Sequence, residues 1–66
     1  MPFKIYTVDE YGVKTEYAET NKRAEVFDVL TELGVDDSEA MNVFFWAQIS
    51  CAGEAYESGS FSVAHL

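Results

Sequence analysis

The chain has 66 residues and a formal net charge of −8, because 12 acidic residues face only 4 lysines and arginines. This length predicts a single domain, residues 1–66, with no room for a second hydrophobic core. The charge argues against binding to free nucleic acid or to an anionic membrane, since both need a basic patch. A hydrophobic content of 48% argues against a disordered chain.

A β-hairpin is predicted at the start of the chain. Residues 3–8 mix β-branched and aromatic side chains, as strands do. Residues 9–12 begin with Asp9 and end with Gly12, which suits a type I turn. Residues 13–18 then alternate, so that Val13, Thr15 and Tyr17 share one face of a half-buried strand.

A first helix is predicted over residues 22–33. Thr20-Asn21 offers an N-cap, and apolar residues recur at spacings of three, four and seven. Gly34 stands where a left-handed C-cap belongs. We expect Phe27 and Leu30 to be core residues of this helix.

A second helix is predicted over residues 38–50, although its pattern is ambiguous. Asp36 and Glu39 have capping-box spacing, which favours a helix start. The segment is apolar nearly all round, and residues 43–50 alone are also compatible with a strand. The cap and the lack of turn residues before Gly53 favour helix.

The last part of the chain is predicted to be a loop followed by a strand. Residues 53–59 form the loop, with Tyr56 folded inward, and residues 60–66 alternate with Phe61 and Val63 on one face. The predicted fold is therefore α+β, with the order ββααβ and a small antiparallel three-stranded sheet that carries two helices on one face.

No motif indicates catalysis. Cys51 is the one cysteine, which excludes an intramolecular disulfide and predicts a reduced thiol in a cytoplasmic protein. We expect His65 to be exposed at a strand edge. The acidic run from Asp36 to Glu39 lacks the ligand spacing of a calcium loop. We therefore predict a non-enzymatic protein with no cofactor and no bound metal.

The distribution of acidic side chains is the feature that suggests a function. On the first helix, carboxylates recur at i, i+3 and i+7, opposite the apolar stripe, and others continue through the corner between the helices. The predicted partner-binding residues are Glu25, Asp28, Glu32, Asp36, Asp37 and Glu39. A second acidic cluster, Asp9, Glu10, Glu16 and Glu19, lies on the hairpin.

A short, strongly acidic, single-domain α+β chain with such a row resembles the anti-defence proteins of bacteriophages, in particular anti-CRISPR proteins and other DNA mimics. The resemblance implies an inhibitor in the bacterial cytoplasm that blocks the basic DNA-binding or PAM-reading channel of a CRISPR effector, which is lined with Lys and Arg. It implies a basic nucleic-acid-binding protein complex as partner, and no direct binding to nucleic acid or membrane. The inhibitor itself would be a monomer or a homodimer.

Two other interpretations remain open at this point. One is a small acidic adaptor or homodimeric subunit whose interface uses the aromatic residues Phe44, Phe45, Trp46 and Tyr56, since interfaces are enriched in Trp and Tyr. The other is a housekeeping domain from a halophile, in which a high acid and low lysine content suits high salt.

Overall fold

The computed structural model describes residues 2–66, which form a small α+β fold. The elements are β1 Phe3–Val8, β2 Lys14–Thr20, α1 Arg23–Glu32, α2 Asp37–Ile49, β3 Ala55–Glu57 and β4 Phe61–His65. The four strands pair antiparallel in the order β2-β1-β4-β3. The predicted α+β class with two helices is confirmed, whereas the predicted three strands are wrong by one, because the chain runs ββααββ.

The β1–β2 hairpin closes through the predicted turn. The amide of Gly12 donates to the carbonyl of Asp9 at 3.0 Å, and Gly12 has a φ of 81°, which favours glycine. The Asp9 carboxylate accepts hydrogen bonds from the amides of Tyr11 and Val13 at 2.8 and 2.9 Å. The side chain of Asp9 therefore holds the turn, as Asp does in many turns.

The predicted half-buried face of β2 is wrong. Val13, Thr15 and Tyr17 are all exposed, and burial increases only at Ala18 and Thr20, where the chain leads into α1. Two causes are visible. The strand is at the edge of the sheet, and the β1–β2 register shifts opposite Tyr17, which indicates a β-bulge that interrupts the alternation.

Helix α1 begins and ends one residue inside the predicted range of 22–33; its predicted N-cap at Thr20-Asn21 is wrong, and the predicted left-handed cap at Gly34 is confirmed. Its N-cap is Lys22, whose amide donates to the Thr20 hydroxyl at 3.2 Å, so Thr20 supports the preceding turn. At the other end Gly34 has a φ of 90°, and its amide donates to the Thr31 carbonyl at 3.0 Å. The amide of Val35 donates to the Leu30 carbonyl at 3.0 Å, which completes a Schellman motif.

Helix α2 settles the ambiguity of residues 43–50 in favour of helix. Asp36 is its N-cap, but the predicted capping box with Glu39 is wrong. The Asp36 side chain makes no capping bond to the described backbone and instead accepts from the Ser38 hydroxyl at 2.7 Å.

The second half of the sheet contains the missed strand. Residues 55–57 were predicted as loop, but they pair with β4 as β3, so β4 lies between β1 and β3. This central position buries Phe61, Val63 and also His65, which is 3% exposed. The expectation of an exposed His65 is therefore wrong.

A single core joins the sheet to both helices. Leu30 and Val26 are fully buried on α1, whereas Phe27, predicted to be core, is only half-buried. The predicted inward position of Tyr56 is confirmed, since its ring stacks on Phe61 with a centroid distance of 6.1 Å. The fully buried apolar side chains are Phe3, Ile5, Val26, Leu30, Ala40, Val43, Ala47, Phe61 and Val63.

Candidate protein-binding surface

Three carboxylates on α1 form what we call the acidic row: Glu25, Asp28 and Glu32. All three are exposed, as their spacing predicts. A rise of 1.5 Å per residue separates neighbouring members by about 4.5 and 6 Å along the helix axis. The row is thus a line of negative charge about 10 Å long on the solvent side of the helix layer.

The predicted acidic residues at the corner between the helices, which we call the corner acids, continue the row less uniformly. Asp36 and Asp37 are exposed, whereas Glu39 is half-buried at the start of α2. Asp37 and Glu39 lie in the first turn of α2, where the helix dipole stabilises a carboxylate. The corner acids therefore have a structural role as well as an exposed charge.

Three of the four basic side chains, those of Lys4, Lys14 and Arg23, make contacts away from the acidic row. Within residues 2–66 there are two ion pairs, and both lie on the sheet face opposite the helices: Lys4–Glu16 at 3.3 Å and Lys14–Glu57 at 2.8 Å. Hydrogen bonding to Glu16 raises the pKa of Lys4, and hydrogen bonding to Lys14 lowers the pKa of Glu57. The Arg23 Nε atom donates to the Ala47 carbonyl at 2.9 Å.

The acidic row consequently forms no ion pair with the described residues. Among residues 2–66, its one hydrogen bond to a neighbouring side chain comes from Tyr17, whose hydroxyl donates to Glu32 Oε1 at 2.7 Å. This bond raises the pKa of Tyr17, and desolvation acts in the same direction. Glu25 and Asp28 are left facing solvent.

The hairpin acids are placed differently from the row. Asp9 holds the turn through its backbone hydrogen bonds, and Glu16 is paired with Lys4. Glu10 and Glu19 are exposed. The structure therefore leaves only part of this second cluster without an ion partner among the described residues.

An apolar surface lies beside the acidic row, and the sequence reasoning did not anticipate its position. An interhelical groove of about 300 Å³ is lined by Ala24, Phe27, Asp28, Met41 and Phe44. Next to it, three exposed side chains of α2 form what we call the α2 ridge: Met41, Phe45 and Ile49, exposed by 41%, 59% and 81%. Their i, i+4, i+8 spacing puts them on one side of the helix and was the available sequence signal.

The four aromatic residues considered for an adaptor interface divide into two pairs. Phe44 and Phe45 lie on the groove and the α2 ridge, with ring centroids 6.0 Å apart. Trp46 packs edge-on against Phe3 at 6.4 Å and lies 5.8 Å from Tyr56, so this pair supports the core. Only the first pair borders the groove and the α2 ridge.

A hydroxyl–imidazole pair, the residue combination of some nucleophilic sites, lies where the end of α2 meets β4. Ser50 Oγ and His65 Nδ1 share a hydrogen bond of 2.7 Å, and the His65 ring packs against Phe3 with a centroid distance of 4.4 Å. Both side chains are at least nine-tenths buried, so a substrate has no access to the hydroxyl. Exposed Cys51 follows directly, with its amide bonded to Glu54 Oε1 at 2.6 Å. This arrangement joins the end of α2 to β4.

Comparison with known proteins adds no assignment, since no family model, curated protein or solved structure matches the chain. Across residues 2–66, no three His, Cys, Asp or Glu side chains are grouped so as to hold a metal ion. No helix in the same range is long and apolar enough to cross a membrane.

Proposed function

We propose that the protein is a non-enzymatic acidic inhibitor that binds a basic nucleic-acid-binding surface in place of DNA. The observation that carries this proposal is the acidic row, which is exposed and forms no ion pair with the described residues while the sheet lysines are paired elsewhere. Like-charged neighbours at i, i+3 and i+4 repel one another and destabilise an isolated helix. No ion pair among the described residues offsets this repulsion, so a basic partner would relieve it.

The spacing of the row supports mimicry of DNA charge. Phosphates on one DNA strand are about 3.4 Å apart in axial rise and somewhat further along the backbone. Carboxylates separated by about 4.5 and 6 Å along α1 fall in the same range. Lys and Arg side chains arranged to meet phosphates would therefore meet these carboxylates as well.

The partner that we propose is a CRISPR effector complex, whose DNA channel is rich in Lys and Arg. This choice rests on the resemblance in size, charge and fold class to phage anti-defence proteins. Inhibition would be stoichiometric, because the protein would occupy the channel and exclude target DNA without any chemical step.

The test is competition between the protein and target DNA for a purified effector. We expect effector–DNA binding to fall as the protein is added, and binding of the protein to weaken steeply with salt, since exposed charges are screened beyond about 8–10 Å at physiological ionic strength. The free protein should not shift duplex DNA at physiological salt. The proposal fails if effectors bind target DNA equally well with and without the protein.

Paired variants separate the acidic row from net charge. Glu25→Lys with Asp28→Lys changes the net charge from −8 to −8 + 4 = −4, and so does Glu10→Lys with Glu19→Lys on the hairpin. We expect only the first double variant to lose binding, by about 100-fold or more, because like charges across an interface cost several kcal/mol. Circular dichroism confirms that both variants fold. Equal losses in both would contradict a role for the row.

A second candidate function is an adaptor or homodimeric subunit, and the exposed α2 ridge favours it. This candidate predicts binding that depends little on salt and tolerates both double reversals. It also predicts a strong loss when Phe45 is truncated.

A further inference from the structure

The interhelical groove and the α2 ridge form one continuous apolar strip. Met41 belongs to both, and the groove walls are apolar apart from Asp28. At about 300 Å³ the groove is at the lower limit of pockets that enclose a small molecule, and it is open to solvent along the ridge. Its shape therefore suits a row of side chains from one partner helix better than a compact small molecule.

The length of the strip matches a helix of two to three turns. Met41 and Ile49 are 49 − 41 = 8 residues apart on α2, which is about 12 Å along the helix axis. A partner helix laid along the strip would insert apolar side chains at i, i+3 or i+4, and i+7. The inserted side chains would contact Phe44 in the groove and Phe45 on the α2 ridge.

The charge beside the strip restricts the chemistry of that helix. Asp28 lines the groove, whereas Glu25 and Glu32 are not among its lining residues, and Glu32 accepts a hydrogen bond from Tyr17 on β2. One flank of any helix in the groove must therefore face the carboxylate of Asp28, and the net charge of −8 favours a basic partner over an acidic one. Lys or Arg on that flank would be attracted, and Asp or Glu would be repelled.

The same geometry argues against a second copy of this chain as the occupant. With about 200 Å² for each full side chain, the exposures of the α2 ridge give on the order of 350 Å². A stable dimer buries about 800 Å² per partner, so the contact would have to extend well beyond the α2 ridge. Each copy has a net charge of −8, and so the added contacts would be between like-charged molecules.

We infer that the interhelical groove and the α2 ridge bind a basic amphipathic helix of the partner, with its apolar face on the strip and a Lys or Arg flank at Asp28, the member of the acidic row that borders the groove. This inference rests on the proposed function, because it places the acidic row and the apolar strip in one interface with one basic protein. It adds that recognition depends on a patterned helix and not on positive charge alone.

A synthetic peptide tests this without knowledge of the partner. The probe is an Ala-rich helical peptide of about 20 residues, long enough to be helical in water, with Leu at i, i+3, i+4 and i+7 and Lys along one flank. The comparison peptide has the same composition in scrambled order. We expect the patterned peptide to bind at least about 10-fold more tightly by fluorescence anisotropy, which corresponds to about 1.4 kcal/mol.

Variants assign the difference to the strip. Phe45→Ser should abolish the preference for the patterned peptide. Val13→Ser should keep it, since Val13 is equally exposed, 57% against 59%, but lies on the hairpin. Glu25→Lys with Asp28→Lys should weaken both peptides.

Three other results would overturn the inference. If both peptides bind equally and the effector competition still succeeds, charge alone acts, and the proposed function stands without the helix. If neither peptide binds and the competition also fails, the proposed function fails with it. If sedimentation equilibrium shows a dimer of the 7.4 kDa chain that Phe45→Ser dissociates, the strip is an interface between two copies.

Discussion

Replacement of Leu30 by alanine tests the core on which both proposals depend. Leu30 is fully buried on α1 and belongs to the cluster that joins the helices to β1 and β4. Removal of a buried leucine side chain loses its transfer free energy and leaves a cavity, which together cost about 2–5 kcal/mol. The result depends on how far the neighbouring side chains relax.

The loss is large relative to the stability of so short a chain. At roughly 0.05–0.15 kcal/mol per residue, 66 residues give a free energy of unfolding of about 3–10 kcal/mol. A domain of this size loses about 4–8 °C of Tm per kcal/mol, so a loss of about 2–5 kcal/mol should make Leu30→Ala melt about 8–40 °C below the parent. If the loss is near 5 kcal/mol and the parent is near the lower end of its stability range, Leu30→Ala would be partly unfolded at room temperature.

Two signals report this unfolding independently. Circular dichroism follows the helices, and the fluorescence of Trp46, the one tryptophan, follows packing against Phe3 and Tyr56. Leu66→Ala is the matched control, because Leu66 is 44% exposed, and we expect it to cost less than about 1 kcal/mol. Similar melting temperatures for the two variants would refute the assigned position of α1 on the sheet.

Two further predictions concern local contacts. Gly34→Ala should destabilise the protein by about 1 kcal/mol or more in urea unfolding, because a φ of 90° is unfavourable for alanine. Gly59→Ala should not, since Gly59 has no positive φ and open space at its Cβ. The pKa of Tyr17 is raised by its bond to Glu32, so the stabilisation is present below the ordinary tyrosine pKa and is lost as the pH rises through the raised value. We expect Tyr17→Phe to remove a tyrosinate absorbance step that lies above the ordinary tyrosine pKa.

Features set by neighbouring residues were predictable from the sequence. The hairpin turn depends on an Asp at its start and a Gly at its end. The Asp9 carboxylate accepts backbone hydrogen bonds within the turn, and Gly12 adopts the positive φ that the turn requires. The end of α1 depends on Gly34 in the same local way. The acidic row was predictable because helical periodicity alone puts its members opposite the buried stripe.

Features set by distant pairing were not predictable in the same way. Strand β3 has three residues, too few for alternation to be recognised, and it exists because β4 offers an edge to pair with. Pairing on both sides makes β4 a central strand and buries His65. The alternation of Phe61 and Val63 had already put His65 on the buried face, and only its position near the chain end suggested exposure.

The interhelical groove was not predictable from the sequence for another reason. Its walls come from two helices, so its width depends on how closely α1 and α2 pack and not on either pattern alone. The sequence did show that α2 is apolar nearly all round, which is typical of a helix that is central or partly at an interface. The structure puts Val43 and Ala47 in the core and leaves Phe45 and Ile49 to solvent.

The division of charge between the two layers links stability to the proposed interface. Lys4 and Lys14 are paired on the sheet, where solvent screens exposed ion pairs and leaves them little effect on stability. If solubility were the only requirement on the helix layer, Lys and Glu at i and i+4 would meet it and stabilise α1 by about 0.2–0.5 kcal/mol per pair. The chain instead has Asp28 and Glu32 at that spacing, which costs a similar amount. A thin stability margin makes this arrangement a disadvantage in the free protein, and under the proposed function a basic partner on the acidic row would convert the same carboxylates into attractive contacts.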